Sequence, residues 1–309
     1  MAMFPYTLNV LRTAIYYDMF DYPLREDDVF SKIVYSDFTR EDARGALEQL
    51  VKDGVLCESR SFYFLPGKEE TVDRRLRMEE HAQGMWNMAR RVTRFLVSKF
   101  PFVRAVFVSG TLSKGVTDDT SDIDFFIITE PGRLWLCRTT LVLFRQTVLL
   151  NRRKFFCTNY FLSEDHLEIE DKNLFTAIEI AHLKPVYNME MYDRFMQANQ
   201  WIAYFLPNYK FIANPFAPLP ASGSLARTCL EWPLNNGLGN KLDLWLMKRM
   251  ERFWAKKFKT LSGEKRDLMF RCRRYSSKNH VYDYQTILLD KYNKRLKSYD
   301  AEANNLILT

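Results

Sequence analysis

Hydrophobic and polar positions divide the chain into stretches of different rhythm. Near the start, Leu8, Leu11, Ala14, Ile15 and Met19 recur at helical spacing, and a turn through Phe20-Asp21-Tyr22-Pro23 leads to a short second helix over 24–30. Thr39 reads as an N-cap with Asp42 three residues on, opening a third helix that carries Ala43, Ala46, Leu47, Leu50 and Val51 toward Gly54. Residues 55–58 and 61–65, separated by Ser59-Arg60 and ended by Pro66-Gly67, predict a short hairpin. Three helices and a hairpin make the expected unit over 1–70 a winged helix-turn-helix-like module.

The rhythm then lengthens. Residues 71–99 predict one long helix with a charged opening and an apolar second half, from Met85 and Trp86 to Phe95 and Leu96. A β-branched and aromatic run, 103–108, stops at Ser109-Gly110-Thr111, and a second strand is expected from Asp122 through Phe125, Phe126, Ile127 and Ile128. A helix over 134–150, a third strand over 155–162 and a helix over 174–182 follow. From Tyr187 the chain is helical and aromatic. Met191, Phe195, Ala198, Trp201, Ile202 and Phe205 read as core, 207–223 as a loop, and 240–259 as an amphipathic helix with Leu242, Leu244, Trp245, Met247 and Trp254 inward. The expected class is α+β, a small mixed sheet flanked by helices, with units at 1–70, 71–186 and a mostly helical 187–309.

Chemistry concentrates between the first two strands of the middle unit. On a strand, residues two apart share a face, so Asp122 and Asp124 project together, and two adjacent carboxylates repel unless a divalent cation joins them. The preceding loop supplies Ser109, Gly110, Thr111, Ser113 and Lys114, a glycine, hydroxyls and a cation suited to cradling phosphates. Gly110 and Gly115 have the spacing of a Walker A loop, but Val116-Thr117 follows where Lys-Ser/Thr is required. A calcium loop fails too, because Ile123 stands where acidic alternation should continue. The plain alternative is a solvated acidic turn before a buried strand.

Gly110-Thr111, a spacer of about ten residues, and Asp122-Ile123-Asp124 in a hydrophobic strand together resemble the signature of the DNA polymerase β-like nucleotidyltransferase superfamily. The string Ser-Gly-Thr-Leu-Ser-Lys-Gly…Ser-Asp-Ile-Asp is most similar to its minimal bacterial and archaeal members. The resemblance spans roughly residues 102–171 and implies a nucleotidyltransferase sheet. It also implies magnesium on Asp122 and Asp124, and a nucleoside triphosphate held by Ser109, Gly110, Thr111, Ser113 and Lys114. A third carboxylate is common in the superfamily on the next strand, where this chain has Asn159. An amide can ligate magnesium but brings no charge and cannot act as a base. The third role then falls to Asn159 or moves to Glu168, Glu170, Asp171 or Glu179, of which Glu179 is favoured. The other functional class consistent with this departure is a non-catalytic nucleotide sensor or regulator.

Composition narrows the setting. With 309 residues, 47% hydrophobic, the chain can bury a sizeable core. The residues show no signal-peptide pattern, and the most apolar window is broken by Arg138, Arg145 and Gln146, so no membrane span is expected. Cys57, Cys137, Cys157, Cys229 and Cys272 have neither zinc-site nor disulfide-framework spacing, which points to a reducing cytoplasm. His81, His166, His182 and His280 show no metal-ligand spacing either, and His182 reads as a cap or surface residue.

The net charge of +7 is unevenly placed. Residues 1–75 hold ten basic and fourteen acidic side chains, the wrong sign for a DNA footprint, so the first module favours a packing or protein-partner role. The last ninety residues hold eighteen basic against nine acidic. There Lys248, Arg249, Arg252, Lys256, Lys257 and Lys259 on one helix, and the cluster Arg271, Arg273, Arg274 and Lys278, could meet nucleic acid or polyphosphate or complete a nucleotide pocket. Arg152-Arg153-Lys154 before the third strand is a further basic triplet.

Overall fold

The structure, a computed structural model, describes residues 5–150, 154–209, 217–221, 225–279 and 282–307. The chain begins with α1 (Pro5–Asp18), α2 (Glu26–Lys32) and α3 (Arg40–Lys52), followed by a hairpin of β1 (Cys57–Ser59) and β2 (Phe62–Phe64). At the start of α3, the Asp42 N–H donates to the Thr39 hydroxyl at 3.2 Å and the Thr39 N–H donates to the Asp42 carboxylate at 2.9 Å. This is the capping box expected from the Thr-x-x-Asp spacing. The long helix α4 (Glu70–Lys99) then leads into the sheet.

The sheet elements and their connections are β3 (Val103–Ser109), the one-turn helix α5 (Gly110–Ser113), β4 (Asp124–Thr129), α6 (Leu134–Thr147), β5 (Cys157–Ser163), α7 (Leu174–His182) and β6 (Lys184–Tyr187). After them come α8 (Met189–Ala198), α9 (Leu225–Glu231), α10 (Gly237–Lys257), α11 (Gly263–Met269), β7 (Ser276–Lys278) and α12 (Tyr284–Ile307). The five strands lie in the order β6-β3-β4-β5-β7, with β4 and β5 parallel and the other neighbours antiparallel. The fold is therefore mixed α+β, with a five-stranded mixed sheet flanked by helices.

Strand alternation gives the sheet two buried faces. Ala105, Phe107, Phe126 and Ile128 enter one core, while Val106, Val108, Phe125 and Ile127 enter the other. On the first face Phe107, Phe126 and Tyr160 stack across three strands, with centroid separations of 5.9 and 4.8 Å, and Phe195 of α8 closes over them. That core continues into α1, α2, α3 and α7, so the N-terminal helices share apolar packing with the sheet. Tyr292 of α12 donates to the Arg12 carbonyl at 3.2 Å, and Arg295 pairs with Asp18, clamping the last helix on the first. The opposite face is covered by α4, α6 and α10, where Trp135 and Trp254 meet edge to face.

Several expectations change. The second strand begins at Asp124 rather than Asp122, and β6 and β7 fall outside the expected elements. A four-residue Lys-Pro-Val-Tyr run and a three-residue Ser-Ser-Lys run carry too little pattern to identify a strand. Both become strands because β3 and β5 offer them a hydrogen-bonding edge. Trp245, expected inward, is half exposed. His182, expected as a cap or surface residue, is buried, with Nδ1 2.7 Å from the Ile178 carbonyl of its own helix.

Cys57, Cys137, Cys157, Cys229 and Cys272 form no disulfide with one another. Among the described residues, no helix is long and apolar enough to cross a membrane. Arg152, Arg153 and His280, and most of the expected 207–223 loop, lie outside the described residues.

Candidate functional site

The site is built where β3 ends against the start of β4. Ser109 is the register partner of Asp124, so the residue after it, Gly110, passes directly over that carboxylate. Gly110 has φ of +70°, and a Cβ placed there would lie 2.5 Å from Asp124 Oδ2. Only glycine satisfies both the left-handed backbone and the close approach. Gly110→Ala is expected to cost about 1–3 kcal/mol of stability, the range for a strained backbone position, and to displace Asp124. Chemical denaturation of the variant would check the first effect.

Asp124 shares its strand face with Phe126 and Ile128, and it closes the polar end of an otherwise apolar stripe. Burial pushes its carboxyl up to about 6, the Cys157 thiol opposes the shift, and the charges of Asp122 and Glu179 add to it. Such a carboxylate, held charged at neutral pH against burial and two like charges, is suited to a cation. Asp122 lies just before the strand and acts on Asp124 through its charge, without lining the adjoining cleft.

Asn159 reaches Asp124 through an irregularity in β5. Thr158 pairs with Phe125 and Tyr160 with Phe126, so Asn159 is the extra residue of a bulge. Its Nδ2 donates to Asp124 Oδ1 at 2.7 Å, and its Oδ1 accepts from the Cys157 thiol at 3.3 Å. Asn159 therefore sits beside Asp124, as the strand position suggested, but as a hydrogen-bond donor to it.

The loop residues separate into two directions. Gly110, Thr111 and Lys114 line a cleft of about 520 Å³ together with Asp124 and Glu179. Ser109 Oγ instead donates to the Asp124 carbonyl at 3.4 Å, and Ser113 Oγ donates to the Gly110 carbonyl at 2.8 Å. These two hydroxyls hold the turn, and Ser113 lines a second cavity beside it. Lys114 is held by Glu179 at 2.7 Å, which places the favoured extra carboxylate at the site as the partner of the loop cation. The other acidic candidates are engaged elsewhere: Glu168 with Lys172, Glu170 with Arg271 and Tyr275, and Asp171 with Arg271 and Lys278.

Those ion pairs also decide the fate of the basic cluster. Arg271 is buried on Asp171, Arg273 binds Asp267, and Lys278 binds Asp171, so three of its four cations are satisfied within the fold. Likewise Arg40 and Arg44 of α3 pair with Asp27 and Glu26. The remaining walls of the cleft include Phe20 and Tyr22 after α1, Phe175 on α7, and Tyr282 and Tyr284 at the start of α12. No sequence signal marked these aromatic walls as parts of the site, because they converge only on folding.

Among the described residues, no group of three or more His, Cys, Asp or Glu side chains is placed to hold a metal. Magnesium, however, commonly takes one or two carboxylates and completes its shell with water and substrate phosphates. The half-buried Asp124, with Asp122 two residues before it, fits that mode of binding. No protein-family model, curated protein or solved structure matches this chain.

Proposed function

We propose that the chain is a magnesium-dependent nucleotidyltransferase, moving a nucleoside monophosphate from a nucleoside triphosphate to a hydroxyl acceptor. The observation that carries this reading is the packing of Gly110 on Asp124, which joins a phosphate-sized backbone turn and a metal-type carboxylate into one cradle. In the proposed complex Asp122 and Asp124 hold the metal, and Gly110, Thr111 and Lys114 contact the phosphates. The aromatic walls at Tyr22, Phe175 and Tyr282 supply apolar surface for the base. Magnesium would supply neutralisation of phosphate charge. The acceptor oxygen forms a bond to the α-phosphorus, the bond from that phosphorus to its bridging oxygen breaks, pyrophosphate leaves, and the hydroxyl proton passes to solvent.

The N-terminal helices and hairpin are read in the same proposal as a winged-helix-like module with a packing role. Support comes from its core shared with the sheet and from the ion pairs that neutralise Arg40 and Arg44. Of the basic surfaces that the sequence offered to a nucleic acid or protein partner, α10 keeps its charge. Lys248, Arg249, Arg252, Lys256 and Lys257 are exposed and, among the described residues, form no ion pair. The helix packs over the sheet face away from Asp124, so it is offered as partner surface and not as part of the nucleotide pocket.

Calorimetric titration with each non-hydrolysable nucleoside triphosphate, with and without magnesium, tests the central claim. Magnesium-dependent binding of at least one is expected; binding of none would overturn it.

A second reading, a nucleotide sensor without turnover, is favoured by one feature: Asn159 donates to Asp124 where a third carboxylate would add charge. Turnover by the parent with magnesium and a nucleoside triphosphate separates the two, and within the transferase reading Glu179→Gln separates two roles for Glu179. If Glu179 acts by positioning Lys114, the variant binds nucleotide roughly tenfold more weakly, the order expected for losing one charge-assisted bond, while turnover at saturation persists. Loss of all turnover with binding intact would instead make Glu179 the missing third carboxylate.

A further inference from the structure

Beside the Gly110 turn, sharing Tyr22, Arg75 and Lys114 with the cleft but not lined by Asp124, lies a second cavity of about 230 Å³ with four cationic side chains on its walls. Lys32 of α2, Arg75 of α4, Lys114 of the turn and Lys184 of β6 line it, and among the described lining residues Asp28 is the lone carboxylate. Lys32, Arg75 and Lys184 are each at most 6% exposed, and three cations so deeply buried around one cavity are a rare arrangement.

The carboxylates that pair with these walls are shared. Asp28 binds both Lys32 and Arg75, Glu79 is divided between Arg75 and Arg25, and Glu179 holds Lys114 from the cleft side. Burial opposes the Asp28 charge, but Lys32 and Arg75 overcome it and hold that carboxyl down at about 2, so its one negative charge stays in place. Burial and then the Lys32 charge press the Lys184 ammonium down to about 8. His182, also on the wall, is kept neutral by burial and by the charges of Lys32 and Lys114.

Backbone geometry ties this cavity to the turn. Lys184 is the register partner of Val108, two residues before Gly110, and Tyr22, whose hydroxyl donates to the Lys114 carbonyl at 3.1 Å, lines both cavity and cleft. We propose that this cavity is a binding site for a compact phosphate-class oxyanion, either free phosphate or the head of a small phosphomonoester, seated between Lys32 and Lys184. Its volume holds such an ion with room for water but not a whole nucleotide. An anion there offsets the excess of cations over carboxylates on the walls and joins α2, β6 and the turn, so its occupancy bears on where Lys114 rests. The site is defined without the transferase reading and survives that reading's failure.

Thermal unfolding and calorimetry with inorganic phosphate, in magnesium-free buffer, read it directly. The full chain is expected to show saturable binding and a rise in unfolding temperature. Lys184→Met is expected to fold, to be at least as stable as the parent without phosphate, and to bind phosphate roughly tenfold or more weakly, since one buried charged partner is lost. Lys32→Gln gives the same loss of affinity from the other wall and serves where the first variant does not fold. Phosphate bound at the Gly110 cleft would be indifferent to both substitutions, so undiminished binding in either folded variant overturns the proposal. Absence of saturable binding to the parent also overturns it. Titration with methyl phosphate beside inorganic phosphate distinguishes the sources: tighter binding of the ester assigns a phosphomonoester head, and tighter binding of the free ion assigns phosphate.

Discussion

Replacing Asp122 and Asp124 together by asparagine is expected to abolish turnover and to remove the magnesium-dependent part of nucleotide binding, a loss of roughly a hundredfold or more in affinity. The substitution keeps side-chain volume and leaves an oxygen at each position able to accept a hydrogen bond. The Asn159 amide can still donate to residue 124, as it does at 2.7 Å in the parent. What disappears is two negative charges at the end of a buried strand, the feature that would hold a divalent cation against triphosphate oxygens. Far-ultraviolet dichroism and thermal unfolding should show a folded protein, so lost activity could not be attributed to lost structure. Unchanged turnover would sink the transferase reading.

Asp124→Asn alone is expected to stabilise the metal-free protein at neutral pH. The carboxyl of Asp124 stands at about 6 in the folded chain, above the ordinary 3.8, chiefly because it is buried. A raised folded value means that the native state binds the proton more tightly than the unfolded state does. Native stability is therefore fullest below about pH 4 and declines as pH rises through about 6. The variant has no such charge to bury. At pH 7.5 in a chelator it should exceed the parent by about 2–3 kcal/mol, because each tenfold difference in proton affinity between the two states is worth about 1.4 kcal/mol. The gain should shrink to near zero below about pH 4. Denaturant unfolding at a series of pH values measures it, and a pH-independent difference would show that the Asp124 charge is not destabilising. Saturating magnesium should erase the parent's disadvantage if the ion sits on Asp124, because a ligand bound only by the native state stabilises it.

Some buried charges meet their opposites, as Arg271 does at Asp171, while others, such as Asp243 of α10 and Arg138 of α6, are opposed chiefly by burial. At Asp124 burial and like charges work against the carboxylate, and among the described residues lining the second cavity four cations stand beside one carboxylate, Asp28, which pairs with Lys32 and Arg75. The two places share Tyr22, Arg75 and Lys114 as walls. Poorly balanced buried charge is costly, and such groups collect where a ligand completes the balance.

The local signals in the sequence were those whose cause is local. Thr39 capped α3 because its partner is three residues away, and the β-branched run ahead of Ser109 became β3 because its pattern matches a strand buried on both faces. The glycine loop and the carboxylate pair were legible too, and the antiparallel pairing of β3 with β4 is what set Gly110 on Asp124. The third acidic role was not. Asn159 reached Asp124 through a bulge, and Glu179 reached Lys114 across 65 residues, and neither event leaves a periodic trace. Nor could spacing show that Ser109 and Ser113 would turn their hydroxyls to backbone carbonyls within the turn.

Sequence by itself thus determined the helices of the first two units apart from the one-turn α5, together with α8 and α10, the two central strands and the carboxylate-and-glycine turn, but not α9, α11 or α12, because the former carry a clear periodicity or strict alternation. Only the tertiary structure decided that two short runs would become edge strands, that aromatic residues from both ends of the chain would wall one cleft, and that four cations would line another cavity. Those outcomes depend on which distant surfaces compete for burial and for the remaining hydrogen-bonding edges, a competition settled only when the whole core closes.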